Sequence, residues 1–532
     1  MSYSWLTLLP PLIVIVVTSI TRNVLLSLTG GILAAAAIAA DFDFSSTLYL
    51  ALQRILEETH LTSIYTGKSL DHLYIFSFLI LLGILIQLMN HSGGIRAYTD
   101  FLLRFIKTPQ AAQQTSLILS STLFIDDYLN NLTVGAIMRP VTDHFTLARA
   151  KLAFLIDSMS GPLCLLIPAS SWVAFILAQL QASGITQGDR IGTYLNEDPL
   201  FVYIACMPFL LYPLLMVCIA WATVYFGLSY GAMARFENVA KETGNLFGGN
   251  KPLHQAHQSE QFKGTLLDFI LPISTFIGSF ILALLYSGNS VLLAGTASFM
   301  QALSQADPFW SLFIASFIAV CLTIFLFIYH NPNHKQYVIS AFVQGFLFMK
   351  NSLLVLLLAW TLSTLLKNDL QTGTYLASLL PADLSVSYLP FIIFVLCTII
   401  SASTGSVWGT IALMLPIALP LYYTITLGLS TVLLFPLLGA LFSGSIAGSH
   451  FSPISDAMVM ASVSAGCYHL DHVRTQMSYA LNALIGSLAG FLIMSVLPAT
   501  VSYNLLIGIS LFTGFIVTLS VLFARAALSK KH

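Results

Sequence analysis

The chain has 532 residues, 57% of them hydrophobic and only 8% charged, with a mean hydropathy of +0.86, a composition that excludes a soluble domain of this size. Lys+Arg 21 against Asp+Glu 22 gives a net charge of -1, which leaves neither a basic surface for nucleic acid nor an acidic tail. The six cysteines are scattered through apolar runs without a CxxC pair, so disulfide, metal and redox chemistry are not indicated.

Apolar runs recur along the whole chain, and at about 20 residues per crossing they predict about 12 to 14 membrane segments, some half-length or re-entrant. The first, near 5–20, has no basic residue before it and carries Pro10 and Pro11, the pattern of a retained helix and not of a cleaved signal peptide. A second helix is expected near 24–40, then an amphipathic or loop segment with Arg54, Glu57 and Glu58, then a helix near 73–89. The polar, glycine-containing stretch 90–96 interrupts the pattern, either as an ordinary loop or, the favoured reading, with the weakly apolar 97–105 as one limb of a re-entrant hairpin.

The run 117–125 is too short to span before Asp126 and Asp127 arrive, yet 132–138 is apolar again. A helix broken at membrane depth is tolerated only where its freed backbone groups face protein or a water-filled cavity, so a break that carries carboxylates suggests a site. Arg139, Arg149 and Lys151 then mark a cytoplasmic turn. The span 152–180, interrupted by Gly161-Pro162 and Pro168, carries Asp157 well inside it. A loop with Asp189, Arg190, Glu197 and Asp198 is expected outside, and 200–228 returns inward. Residues 230–265, with Arg235, Lys241, Lys251 and Lys263 among Gly, Asn and Gln, are the one long polar linker. They divide the chain into membrane halves 1–229 and 266–532 and are expected in the cytoplasm; His254 and His257 within them are given no metal role.

The second half repeats the first. Thr133 and Pro140 pair with Thr410 and Pro416, and Ser158, Ser160, Pro168 and Ser170 pair with Ser443, Ser445, Pro453 and Ser455 at one constant offset. Chance similarity between two apolar halves is the competing reading. Residues 368–473 contain no Lys or Arg, so the turn that matches the Arg149–Lys151 turn should lie outside and the repeat is expected to be inverted. Paired broken helices in inverted repeats are the architecture of alternating-access transporters.

The breaks bring Asp126, Asp127, Asn130, Asn131, Asp157 and Ser158 from one half and Ser403, Thr404, Ser455 and Asp456 from the other. Carboxylates, amides and hydroxyls are the donors a hard cation such as Na+ takes. A desolvated carboxylate can hold a proton or a cation but not both, which is the minimum machinery of exchange. For Asp126, capping of a helix and ion ligation are both open; for Asp127 and Asp157 the ion reading is favoured. His450, Asp471, His472 and Arg474 are expected near a membrane surface as salt-bridged anchors.

The segments LLGILIQLMNHSGGIRAY, FIDDYLNNLTVG, KLAFLIDSMSGPLCLLIPASSW, LAWTLSTLLKNDLQTGTYLA, STGSVWGTIALMLPIA and SHFSPISDAMVMASVSAGCYHLDHVRTQ together resemble the NhaC family of sodium/proton antiporters. The resemblance implies a bacterial inner-membrane Na+/H+ antiporter, all-α and polytopic, built from two inverted repeats with broken helices and re-entrant hairpins. It further implies no resident cofactor, Na+ and H+ as cargo and the lipid bilayer as partner, and leaves a homodimer open. Carried over by position, Asp126, Asp127, Tyr128 and Asn130 match the family's DDY motif, Asp157 its Asp-Ser, and Ser452, Pro453, Ser455 and Asp456 its SPISD. The chain departs from the pattern at Ser449, Phe451 and Ala457, where Asp, Cys and Thr are usual, and at Ser363, where Gly is. An alternative reading is a cation-coupled carrier or exchanger of a small organic anion or amino acid, malate/lactate-like, with the anion at helix N-termini such as those near Ser403-Thr404-Gly405. An intramembrane enzyme is disfavoured because no HExxH or GxSxG lies in an apolar run.

Overall fold

The computed structural model describes residues 5–21, 23–59, 70–186, 193–251, 264–293, 295–297, 302, 306–379, 385–426, 432–497 and 501–529. Among them the regular structure is helical, with two isolated β-bridges and no strand. The first-half helices are α1 (Leu9–Thr21), α2 (Val24–Ala39), α3 (Phe44–Glu58), α4 (Asp71–His91), α5 (Gly94–Leu103), α6 (Pro109–Thr122), α7 (Asp127–His144), α8 (Arg149–Leu166), α9 (Ser171–Ala182), α10 (Pro199–Cys206) and α11 (Leu211–Tyr225), and the linker carries α12 (Gly231–Thr243). They are followed by α13 (Leu267–Ser287), α14 (Pro308–His330), α15 (Gln336–Thr364), α16 (Thr372–Leu379), α17 (Leu389–Thr404), α18 (Val407–Thr426), α19 (Leu434–Ser449), α20 (Asp456–Ala465), α21 (His469–Val496) and α22 (Tyr503–Ser529).

Helix starts follow from local chemistry. Thr108-Pro109, Asp198-Pro199 and Asp307-Pro308 each place an oxygen-bearing side chain at the cap, where it accepts a backbone N–H of the first turn, followed by a proline at the first helical position. Among the described residues 8 helices are long and apolar enough to cross a membrane, or up to 10 if each of two bent pairs is one span. Four shorter apolar helices accompany them. The expected 12 to 14 segments counted half-length elements, and the bends explain why full spans are fewer. The chain is a multi-pass membrane protein.

The bent pairs lie where proline interrupts the ladder: α8 and α9 meet at 45° around Pro168, and α10 and its 3-10 extension meet α11 at 53° just after Pro208. The segment 97–105 falls largely in α5, a short amphipathic helix whose Tyr98 stacks on Phe269 at 4.5 Å. Arg54, Glu57 and Glu58 lie on α3, as the amphipathic reading expected; Arg54 bonds Glu57 and Asp369, both at 2.8 Å.

The halves 1–229 and 266–532 are not separate packing units. One buried apolar cluster runs through both, α4 packs on α14 and α15, and α1 and α2 pack on α17 and α15. Gly83 and Gly345 lie at the α4–α15 crossing, where a methyl group on either would meet the other helix's backbone. The linker packs back on the first half. Its first part is α12, whose Phe236 and Ala240 pack on Ala148 and Ala150 at the start of α8. Lys151 reaches Glu237 at 3.1 Å, and Arg149 pairs with Asp143 at 2.8 Å beneath the Phe247 ring. Arg149 and Lys151 of the expected turn are thus buried under the linker. Lys263, His254 and His257, and Asp189 and Arg190, lie outside the described residues.

Candidate functional site

Four helix breaks converge in two pairs. In the first half the break between α6 and α7 is tied to the break between α8 and α9: Ser171 N–H donates to Ile125 O at 2.9 Å, and the Cys164 thiol lies 3.2 Å from Phe124 O. In the second half Gly405, in the left-handed conformation at φ 71°, ends α17 so close to the α19–α20 break that a Cβ there would sit 2.8 Å from Ile454 O. Thus each half joins its own two breaks, and the freed backbone groups face protein, as membrane depth requires.

Between the two pairs lies a cavity of about 790 Å³. Asp127 and Tyr128 enter it from the start of α7, Ser455 and Asp456 from the start of α20, and Ser406 and Trp408 from the α17–α18 break. Trp172, Ser449, Phe348 and Asn23 complete the polar and aromatic part of the wall. The Trp172 indole N–H donates to Asp127 Oδ1 at 2.8 Å, which orients that carboxylate. Tyr128 donates to Asp456 Oδ2 at 3.3 Å, and the hydroxyls of Ser449 and Ser455 are 2.9 Å apart. Two carboxylates from different halves therefore face one chamber, each steadied by a neutral donor and leaving oxygen lone pairs for a cation.

A family profile described as "Na+/H+ antiporter family" matches residues 163–496. The chain belongs to the Na+/H+ antiporter family. This antiporter-family protein is a secondary transporter and not an enzyme. It is 30% identical, over 92% of its length and 90% of the relative's, to an uncharacterized protein of Haemophilus influenzae. It is 31% identical over 34% of its length and 38% of the relative's to the malate-2H(+)/Na(+)-lactate antiporter of Bacillus subtilis. Two solved transporters align at 13% identity: Alcanivorax borkumensis YdaH, over 91% of this chain and 89% of that one with a TM-score of 0.42, and Neisseria gonorrhoeae MtrF, over 90% and 84% with a TM-score of 0.37.

Of the residues expected at the site, Asp127, Ser455 and Asp456 line the cavity. Asp126 does not. Its Oδ1 accepts Leu129 N–H at 3.1 Å as the cap of α7 and its Oδ2 accepts the Ser171 hydroxyl at 2.9 Å, so both oxygens are used in holding the two breaks together. Asn130 donates to Ser120 O at 2.7 Å and caps the end of α6, while Asn131 is buried with no partner for its amide. Thr404 accepts Ser406 N–H at 3.4 Å within the break. Ser452 is buried with an unpartnered hydroxyl behind the cavity wall. Ser403 is a correction: it is exposed on α17 and bonds Ile399 O at 2.8 Å, because two helical residues beyond the buried Ser401 turn it to the other face.

Asp157 and Ser158 are fully buried but outside the cavity wall. They face His472, whose Nε2 is 3.5 Å from Asp157 Oδ2, and Gln476, whose Oε1 is 3.5 Å from Ser158 Oγ. His450 and His472 are therefore not surface anchors: they are 2% and 0% exposed. Asp471, bonded to Asn250 at 3.0 Å, and the exposed Arg474 do sit beside the linker. Trp172, Trp408 and Asn23 are the wall residues that sequence reasoning missed, whereas Tyr128 was read through the DDY motif and the two histidines were expected at a membrane surface.

Proposed function

We propose that the protein exchanges Na+ for H+, with the cation held in the cavity between Asp127 and Asp456. The observation that carries this reading is the placement of two carboxylates from opposite halves on one chamber between paired helix breaks, the setting in which alternating-access carriers hold their cargo. A carboxylate there binds Na+ when ionised and releases it when it takes a proton, so one chamber opened to each side in turn exchanges the two. Ser449, Ser455 and backbone at the breaks supply further oxygens. The site lies in the bacterial inner membrane on this reading, with the linker and the C-terminus in the cytoplasm. Proteoliposomes with an internal pH dye test it. A Na+ gradient should drive proton movement, Asp127→Asn and Asp456→Asn should abolish it, and Li+ and K+ gradients rank the cations.

A second reading has its own support. The chamber is far larger than a bare cation needs, and Trp172, Trp408, Tyr128 and Phe348 give it aromatic walls. The starts of α2 and α18 also reach it, and helix N-termini favour anionic groups. A small organic anion or an amino acid, moved with or against a cation, fits such a space. The Bacillus subtilis relative, by its name a malate/lactate exchanger, supports this alternative. Uptake of labelled lactate, malate and amino acids into the same proteoliposomes separates the two.

A further inference from the structure

The cluster around Asp157 is a set of ionisable groups that the cavity leaves unused. Three helices and a turn assemble it: α8 brings Asp157 and Ser158, the turn after α19 brings His450, α21 brings His472 and Gln476, and α11 brings Tyr212. His472 Nε2 lies 3.5 Å from Asp157 Oδ2, yet neither carboxylate oxygen and neither His472 nitrogen has a hydrogen-bond partner. Structural ion pairs do not look like this. Arg149 and Asp143 in the same protein share two N–H···O bonds of 3.1 and 2.8 Å, the close geometry that offsets desolvation. An Asp–His pair buried without such bonds costs stability in any protonation state. It can take or lose a proton without breaking a bond.

The remaining titratable groups that face Asp157 are His450, His469 and Tyr212. Tyr212 is tied to His450 Nδ1 at 2.9 Å, and the His469 nitrogens are engaged by Ser462 and by Pro453 O. The cluster also touches the cavity. Ser449 lines the cavity wall and contacts Ser455, and the next residue, His450, lies in the cluster, with consecutive Cα atoms about 3.8 Å apart.

We propose that Asp157 and His472 form a proton-binding site separate from the cation cavity and coupled to it through the Ser449–His450 turn. The proton comes from water on one side, binds the carboxylate or the imidazole and leaves to water on the other, with no other bond made or broken. Positive charge in the chamber raises the cost of positive charge in the cluster, and the shared turn moves both. The inference rests on the reading of the cavity as the cation site, and it places the exchanged proton on Asp157 and His472 instead of on the chamber carboxylates.

Two measurements test it and keep the two readings apart. In proteoliposomes, Asp157→Asn and His472→Gln should retain exchange of labelled Na+ for Na+ at equal pH and lose Na+ uptake driven by a pH gradient, whereas Asp127→Asn loses both. Wild-type rates of proton-driven uptake in Asp157→Asn would overturn the proposal. So would loss of Na+ for Na+ exchange in His472→Gln that keeps its melting temperature, because the pair would then belong to the cation site. The second measurement needs no Na+. Infrared difference spectra of the purified protein on a pH change should show a protonated-carboxyl band that Asp157→Asn removes, His472→Gln shifts and Asp127→Asn leaves in place. A band unchanged in Asp157→Asn sinks the proton site even if the cavity moves Na+, and the band is still read if the cavity moves none.

Discussion

Asp126 and Asp127 are adjacent in sequence and opposite in task, and substitutions at Asp126 test that division. Alanine there removes the cap of α7, a loss of about 1 kcal/mol. It also leaves the buried Ser171 hydroxyl without its acceptor, about 1 to 3 kcal/mol more. The expected destabilisation is about 2 to 4 kcal/mol, large for one residue. Asparagine keeps the oxygen that accepts Leu129 N–H, and its amide can donate to the Ser171 hydroxyl, so Asp126→Asn should cost about 1 kcal/mol or less. Melting of the detergent-solubilised protein should therefore fall clearly for Asp126→Ala and little for Asp126→Asn. Transport per folded molecule should survive in both. If Asp126→Asn keeps the wild-type melting temperature and stops transport, Asp126 is an ion or proton ligand and the capping argument is wrong.

Trp172→Phe removes the indole donor from Asp127; a hydrogen bond to a charged group contributes about 1.5 to 3 kcal/mol, so cation affinity should change about tenfold or more in a titration of transport against Na+. Gly405→Ala places a side chain at φ 71° against Ile454 O, and the expected strain of about 1 to 2 kcal/mol or more should appear as a lower melting temperature. Burial alone would raise the Glu237 carboxyl, but the lowering contributions, led by the neighbouring Lys151 ammonium, outweigh it and hold it below the usual glutamate value. Its contribution is therefore fully present above the unfolded value of about 4.3 and is lost as pH falls through the lower folded value. Glu237→Gln should remove that part of the acid dependence of melting and free α12 for proteolysis. Single cysteines at Glu242 and Ser529, in a Cys321→Ser background, should be closed to impermeant reagents added outside intact cells; labelling from outside would refute a cytoplasmic linker and tail.

Sequence alone located the breaks because carboxylates and prolines inside apolar runs are costly, and that cost is readable without coordinates. Asp127, Ser455 and Asp456 were legible for this reason. The role of Asp126 was not, because capping and ligation use the same oxygen atoms and only the Leu129 and Ser171 contacts separate them. Ser403 was misplaced by one helical face. His472 was hidden by its neighbours, since HLDHVRT reads as a polar rim until α21 is seen to lie along α8 and bury that imidazole against Asp157. The aromatic walls were missed because Trp172 and Trp408 fit an ordinary apolar helix equally well.

The pairing of breaks within each half bears on how the protein is made. Ile125 O accepts the Ser171 N–H, and Gly405 packs on Ile454, so each interrupted helix meets its partner break in chain that emerges from the ribosome a few dozen residues later. Neither half has to wait in lipid for the other with its broken helices open. The transport chamber, by contrast, has walls from both and comes into being only when the second half docks.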